Sequence, residues 1–199
     1  MNYLAHAYLS FNRKDILVGN MISDFVKGRK KYDYPPRILL GIDLHRYIDE
    51  FTDSHHITWE MKNIFKPHYG LYAGAFTDIA YDYFLANDKT IFHDHEALLR
   101  FSLDSYEMIE DSVDLLPAAF RQMFPYMKQH NWLYNYRHPM GIEKSFQGLV
   151  KRAKYMDDAH TAFDLFTANL DLMQGYYEEF FPLLKKFSSV TLTRLLNTD

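Results

Sequence analysis

"PPRILLGIDLHRYIDEFTDSHH", residues 35 to 56, is the stretch whose reading decides the fold. Pro35 and Pro36 pre-set the first turn of a helix, where the amide has no intrahelical partner to lose. Leu39 and Ile42 stand three apart and Leu44 and Ile48 four apart, both helical spacings, in a helix expected to run to about Asp53. His45, Asp49 and Asp53 fall four residues apart, and a helix brings such positions onto one face. That face is either a solvated polar stripe or one wall of a metal-dependent site.

The flanking sequence reads the same way. A short helix is expected over about residues 2–10 and a second from near Asp15 to Val26, stopped by Gly28. "RKKYDYPP" is then a charged loop. Beyond the quoted helix, further helices are expected at about 58–65 (ended by "KPHYG"), 72–85, 94–113, 117–129, 139–154 and 160–187. Pro117, Pro125, Pro139 and Pro182 punctuate them, and "SSVTLTRLLNTD" at the C-terminal end supports no assignment. Gly is sparse (8), and no strand-like alternation, internal repeat or Gly/Ser-rich linker is present. The expectation is an all-α helical bundle, with residues 1–199 as a single domain.

Composition narrows the function classes. With 48% hydrophobic residues the chain can bury a core, and its 16 Tyr require hydroxyl partners inside that core. A formal charge of -4 argues against nucleic acid as a partner. Cysteine is absent, so disulfides, thiolate metal sites and Cys nucleophiles are excluded. "MNYLAHAYLSFNRKD" has neither the basic start nor the apolar run of a signal or membrane segment. A soluble, cytoplasmic protein is therefore expected, with no membrane partner.

Polar residues interrupt apolar helix faces at several places in the first half of the chain. His6 lies in "YLAHAYL", Asn20 and Asp24 in "ILVGNMISDFV", His45 and Asp49 in the quoted helix, and Asp78 and Asp82 in "FTDIAYDYFL". An ionised carboxylate on an apolar face is costly unless paired or coordinated, and convergence on one cation would relieve several at once. Imidazoles and carboxylates without sulfur suit manganese, magnesium, iron or zinc. Such a centre in a helical bundle can hydrolyse a phosphodiester.

Each interruption also has a plainer reading. His6 can be a hydrogen-bonded core residue, His45–Asp49 a surface pair, and Asp53 the end of its helix. In "HDHE", residues 93–96, Asp94 reads as an N-cap; Asp157–Asp158 and His160 read as the start of the last helix. "NWLYNYR", residues 131–137, reads as core or groove lining. Lys27, Arg29, Lys30, Lys31 and Arg37 crowd into a short basic stretch just past Asp24. That stretch is a solvated loop or, if Asp24 stands at a site, a rim that steers an acidic macromolecule.

Taken in order, "MNYLAHAYLS", "GNMISDFVKG", "PPRILLGIDLHRYIDEFTD" and "DIAYDYFL" resemble the acyl carrier protein phosphodiesterase family. The resemblance implies an all-helical fold related to the HD-type metal phosphohydrolases, with manganese as cofactor. The implied reaction hydrolyses the phosphodiester joining 4′-phosphopantetheine to Ser of holo acyl carrier protein, an acidic protein partner. It carries His6, Asn20, Asp24, His45, Arg46, Asp49, Asp78 and Asp82 into the site. Metal ligands are then expected among His6, Asp24, His45, Asp49, Asp78 and Asp82, with Asp49 either a ligand or a support for His45. Asp24, Arg46 and Asp78 are the expected catalytic groups, and Asn20, Lys27 and Arg46 the substrate contacts. The fourth block departs from the family's Asp-His-Phe-Leu by placing Tyr83 at the His position. A phosphohydrolase of small phosphodiesters or nucleotides, or a catalytically impaired carrier-binding module, are the alternatives.

Overall fold

The architecture comes from a computed structural model that describes residues 1–153, 156 and 158–197. Among these residues every regular element is helical: α1 (Tyr3–Tyr8), α2 (Lys14–Ile22), α3 (Pro36–Ser54), α4 (His56–Tyr69), α5 (Ala73–Asn87) and α6 (His95–Glu110). There follow α7 (Ala118–Gln129), α8 (Trp132–Asn135), α9 (Pro139–Arg152), α10 (His160–Ala168) and α11 (Leu170–Leu196). The all-α expectation holds, and α3 starts on Pro36 as its proline pair dictates.

Boundaries differ where local physics overrides periodicity. The second helix gives way at Ile22 to a 3₁₀ turn, Ser23–Phe25, which lifts Asp24 to the surface. The basic loop is itself a 3₁₀ segment, Gly28–Asp33, entered through Gly28 at φ 58°. Helix α4 runs through Pro67 to Tyr69, because proline in a last turn removes few helical bonds. The long C-terminal helix is two helices, broken at Asn169 (φ -118°, ψ 20°), and the second continues to Leu196. Lys154, at the expected end of the helix over 139–154, and Asp157 lie outside the described residues, as do 198 and 199.

Helix α2 sits at the centre. Ile16 to Ile22 are buried without exception, so the helix shows no polar face. Its tightest partner is α3, and the two backbones meet at Gly19 and Gly41. A Cβ on Gly19 would lie 2.1 Å from the Ile38 carbonyl oxygen, and one on Gly41 2.3 Å from that of Ile16. No side chain fits at either position, and the close approach is what sets α2 and α3 against each other.

Around this pair, α1 packs on α2 and α5, α4 on α5 and α11, and α11 on α3. An aromatic wall of Phe65, Phe76, Phe146 and Phe166 joins α4, α5, α9 and α10. Each fully buried ring contributes about 1.5–3 kcal/mol by leaving water. The buried tyrosines find the partners their hydroxyls require. Tyr177 donates to Asp88 (2.9 Å), Tyr106 accepts from the Leu133 amide (3.0 Å), and Tyr136 accepts from Asn2 (2.9 Å).

Candidate active site

Three helices deliver a compact group of ionisable side chains. His6 from α1 and His45 from α3, both buried, stack with ring centroids 3.9 Å apart and planes 13° from parallel. Asp49, one turn along α3 from His45, stands against both. Its Oδ2 is 3.0 Å from His45 Nε2 and its Oδ1 3.3 Å from His6 Nε2. Asp24, exposed on the 3₁₀ turn after α2, reaches the same His45 Nε2 at 3.1 Å. On the other side the α-ammonium of Met1 lies 3.3 Å from Asp49 Oδ1 and 3.2 Å from Asp78 Oδ1.

The orientation of His45 is set from behind. Its Nδ1 lies 2.7 Å from the main-chain oxygen of Asn20, which makes Nδ1–H the donor and turns Nε2 toward the carboxylates. The Asn20 side chain ties α1 to α2, donating to the His6 carbonyl (2.9 Å) and to Ser10 Oγ (3.1 Å). Asn20, expected as a substrate contact, is fully buried and braces both histidines.

Electrostatics divide the two imidazoles. Burial, reinforced by repulsion from His45, outweighs Asp49 and lowers the His6 pKa to about 4, so His6 is neutral. Burial also opposes charge on His45, but Asp24 and Asp49 overcome it and raise its pKa to about 9. Asp49, although partly desolvated, is driven far below the usual carboxylate range by the Met1 ammonium and both imidazoles. Burial raises Asp78, against the pull of that ammonium. Desolvation opposes the Met1 charge as well, yet Asp78 and Asp49 lift its pKa to about 11.

The donor set fits a divalent cation. Among the described residues, His6, His45 and Asp49 form a group whose ligand atoms lie within 4.8 Å of one another, close to the span across one metal ion. Neither ring nitrogen of buried His6 has a hydrogen-bond partner, and its contact with Asp49 is not aligned for one. Asp78 Oδ1 is likewise without a hydrogen bond. His6, buried, neutral and unpartnered beside an ionised carboxylate, is already in the state in which an imidazole binds metal, whereas His45 would release its Nε2 proton on binding.

The remaining sequence candidates separate by position. Asp82, expected among the ligands, is buried with both oxygens on α1: Oδ2 accepts from the Leu4 amide (2.8 Å) and Oδ1 from the Ala5 amide (2.9 Å). It satisfies amides that a helix start leaves without partners, and so anchors the helix that carries His6. Arg46 is exposed beside His45 and donates to the Val26 carbonyl (3.2 Å), which holds its guanidinium near the Asp24 turn. Lys27, Arg29 and Lys30 are exposed next to that turn, whereas Lys31 is tied to Asp43 at 2.6 Å. Asp53 pairs with Lys62, and Asp94 caps α6. Tyr83 packs edge-on against Phe84 and Phe166. Sequence reasoning had no signal for the Met1 ammonium, a main-chain group, or for Ser10, which accepts from Asn20 across two helices.

Fold and site together define an all-helical protein built around a buried histidine–aspartate centre. Comparison with known proteins is specific. The family profile described as "Acyl carrier protein phosphodiesterase" matches residues 1–184. Proteins of that name are similar over nearly their whole length. The one from Klebsiella pneumoniae is 27% identical over 94% of this chain and 97% of its own. The one from Photorhabdus laumondii is 25% identical over 100% and 97%, and that from Escherichia coli O45:K1 26% over 95% and 98%. The chain belongs to the acyl carrier protein phosphodiesterase family, a family of hydrolases. No solved structure matches it. No helix among the described residues is long and apolar enough to cross a membrane.

Proposed function

We propose that this protein is a metal-dependent phosphodiesterase, cleaving the bond between 4′-phosphopantetheine and Ser of holo acyl carrier protein and releasing the apo protein. The observation that carries the proposal is the buried His6–His45–Asp49 group, with His6 neutral and both its nitrogens without hydrogen bonds. The relation to HD-type phosphohydrolases and the preference for manganese are carried by the sequence resemblance.

His6, His45 and Asp49 would hold the cation, with Asp24 and Asp78 beside them. When bound, it supplies Lewis acidity toward a phosphoryl oxygen and toward water. The chain's own residues do the rest. Asp24 stands at the surface end of the group, 3.1 Å from His45 Nε2; with that nitrogen given to the cation, its carboxylate would be free to take the proton of a water attacking phosphorus. Arg46, steadied on the Val26 carbonyl, offsets phosphate charge at the same mouth. Asn20 fixes the His45 ring, and Asp82 fixes α1 and with it His6. The exposed Lys27, Arg29 and Lys30 flank Asp24 and suit an acidic protein substrate.

Tyr83, at the family's His position, packs edge-on against Phe166 of α10, and the same assay decides between an active enzyme and an impaired carrier-binding module. The test is direct. Purified protein is incubated with holo acyl carrier protein and manganese, and the carrier protein is weighed by intact mass spectrometry. Conversion to the apo mass supports the assignment. An unchanged mass, with a family member from Escherichia coli active in parallel, overturns it.

A further inference from the structure

A cleft of about 900 Å³ opens beside the histidine–aspartate group, between the start of α1, α5, α8 and α9. Its size falls within the roughly 300–1,000 Å³ of small-molecule sites. Three of its lining residues are chain neighbours of the centre: Asn2 and Tyr3 follow Met1, and Ile79 follows Asp78. Trp132, beside Tyr3, and Tyr136, which accepts from Asn2, add apolar lining with Met140, and Lys144 and Arg152 supply cationic groups. Burial raises the Tyr3 hydroxyl, which also feels Asp24 of the centre and, with the opposite sign, Arg152 of the cleft lining.

We infer that this cleft is the subsite for the pantetheine arm of the substrate, an extended, mostly neutral chain with two amides and a thiol end. The inference rests on the proposed phosphodiesterase reading and extends it to the part of the substrate that does not react. With the phosphate at the centre, the arm departs from phosphorus and needs a channel that starts within about one residue of it. The cleft begins at Asn2, Tyr3 and Ile79, next in the chain to Met1 and Asp78. Its mixed lining matches the arm better than it matches a nucleobase or a bare alkyl chain. Aromatic and apolar faces take the methylenes and the gem-dimethyl group, while Asn135, Ser145 and Lys144 can meet the amides. The arm bound here would orient the phosphodiester, binding energy from a non-reacting part of the substrate used for alignment.

The experiment is a titration with pantetheine, which lacks the phosphate. The chain has two Trp, and Trp59 lies on α4, outside the cleft lining, so a Trp59→Phe background leaves Trp132 as the reporter. Saturable change of Trp132 emission is expected. Gly148 lines the cleft on α9 and has room for a side chain, the nearest atom to an added Cβ being an Arg152 nitrogen at 3.5 Å. Gly148→Leu should therefore fold, checked by its circular dichroism, and fill the cleft, weakening pantetheine and raising KM for holo carrier protein by about tenfold or more. Absence of any emission change to saturating pantetheine, with wild-type KM in Gly148→Leu, overturns the inference even if the protein hydrolyses carrier protein. Pantetheine binding that Gly148→Leu weakens supports it even if no carrier protein is hydrolysed, a result that overturns the phosphodiesterase reading alone.

Discussion

Asp82 is the residue on which sequence pattern and structure part most clearly, and its substitution gives a quantitative test. Both its oxygens accept main-chain amides at the start of α1, at 2.8 and 2.9 Å. Asp82→Ala leaves two buried N–H groups without an acceptor, each worth about 1–3 kcal/mol, so a loss of roughly 2–6 kcal/mol is expected. A six-residue helix has little stability of its own, so α1 should loosen first and carry His6 out of register. Asp82→Asn keeps one acceptor oxygen and should cost about half as much, roughly 1–3 kcal/mol. The pH dependence distinguishes the two states of the carboxyl. Burial raises its pKa from 3.8 to about 7, against the two amides that lower it. The stability it contributes is complete below about 3.8 and lost as the pH rises through about 7, by an amount on the order of 4 kcal/mol at most. Asp82→Asn has no such titration, so its deficit relative to the parent should shrink between pH 4 and 8. Urea unfolding of the metal-free proteins across that range measures this. Were Asp82→Asn to keep the parental stability at every pH yet lose manganese affinity, Asp82 would be a ligand and the anchoring account wrong.

Further outcomes follow from the same geometry. In metal-free protein the His45 ring should titrate near pH 9 and His6 near pH 4 by NMR; because the folded His45 pKa lies above its ordinary 6.5, the stability it lends is complete below 6.5 and lost as pH rises through about 9. Gly19→Ala forces a methyl group onto the Ile38 carbonyl at the α2–α3 crossing and should cost at least about 3 kcal/mol, read from the urea midpoint. On the proposed function His6→Ala should reduce manganese affinity by at least about 100-fold, measured by electron paramagnetic resonance, the loss expected of a ligand; a loss below about tenfold would mark a support. Replacing Lys27, Arg29 and Lys30 together by Glu should raise KM for carrier protein and flatten its salt dependence, with kcat little changed. An unchanged KM would remove the basic strip from substrate recognition.

The fold was legible wherever a single helix speaks for itself. Pro36 announces the start of α3, and the spacing of His45 and Asp49 places both on one face, because helical period is a local property. The same pattern gave no sign of what Asp82 touches. Asp78 and Asp82 are also four apart, and nothing local says that one faces the Met1 ammonium while the other caps a helix 77 residues earlier in the chain. Asn20 shows the same limit: only the assembled α1–α2–α3 packing reveals that its side-chain amide ties α1 at the His6 carbonyl while its main-chain oxygen holds the His45 ring. The break at Asn169 was hidden because apolar residues keep helical spacing on both sides of it, and the 3₁₀ turn that exposes Asp24 was hidden by the apolar run around it. Tyr83 looked like a defect in a motif, and its packing on Phe166 is a tertiary fact that no one-dimensional comparison contains.

The proposed function requires that His6, His45 and Asp49 together hold a cation. Anomalous diffraction from a crystal soaked in manganese tests it most directly. A single strong peak is expected, bonded to a ring nitrogen of His6, to His45 Nε2 and to Asp49. A strong peak elsewhere, with His6 and His45 still stacked on each other and no density between them and Asp49, would contradict it.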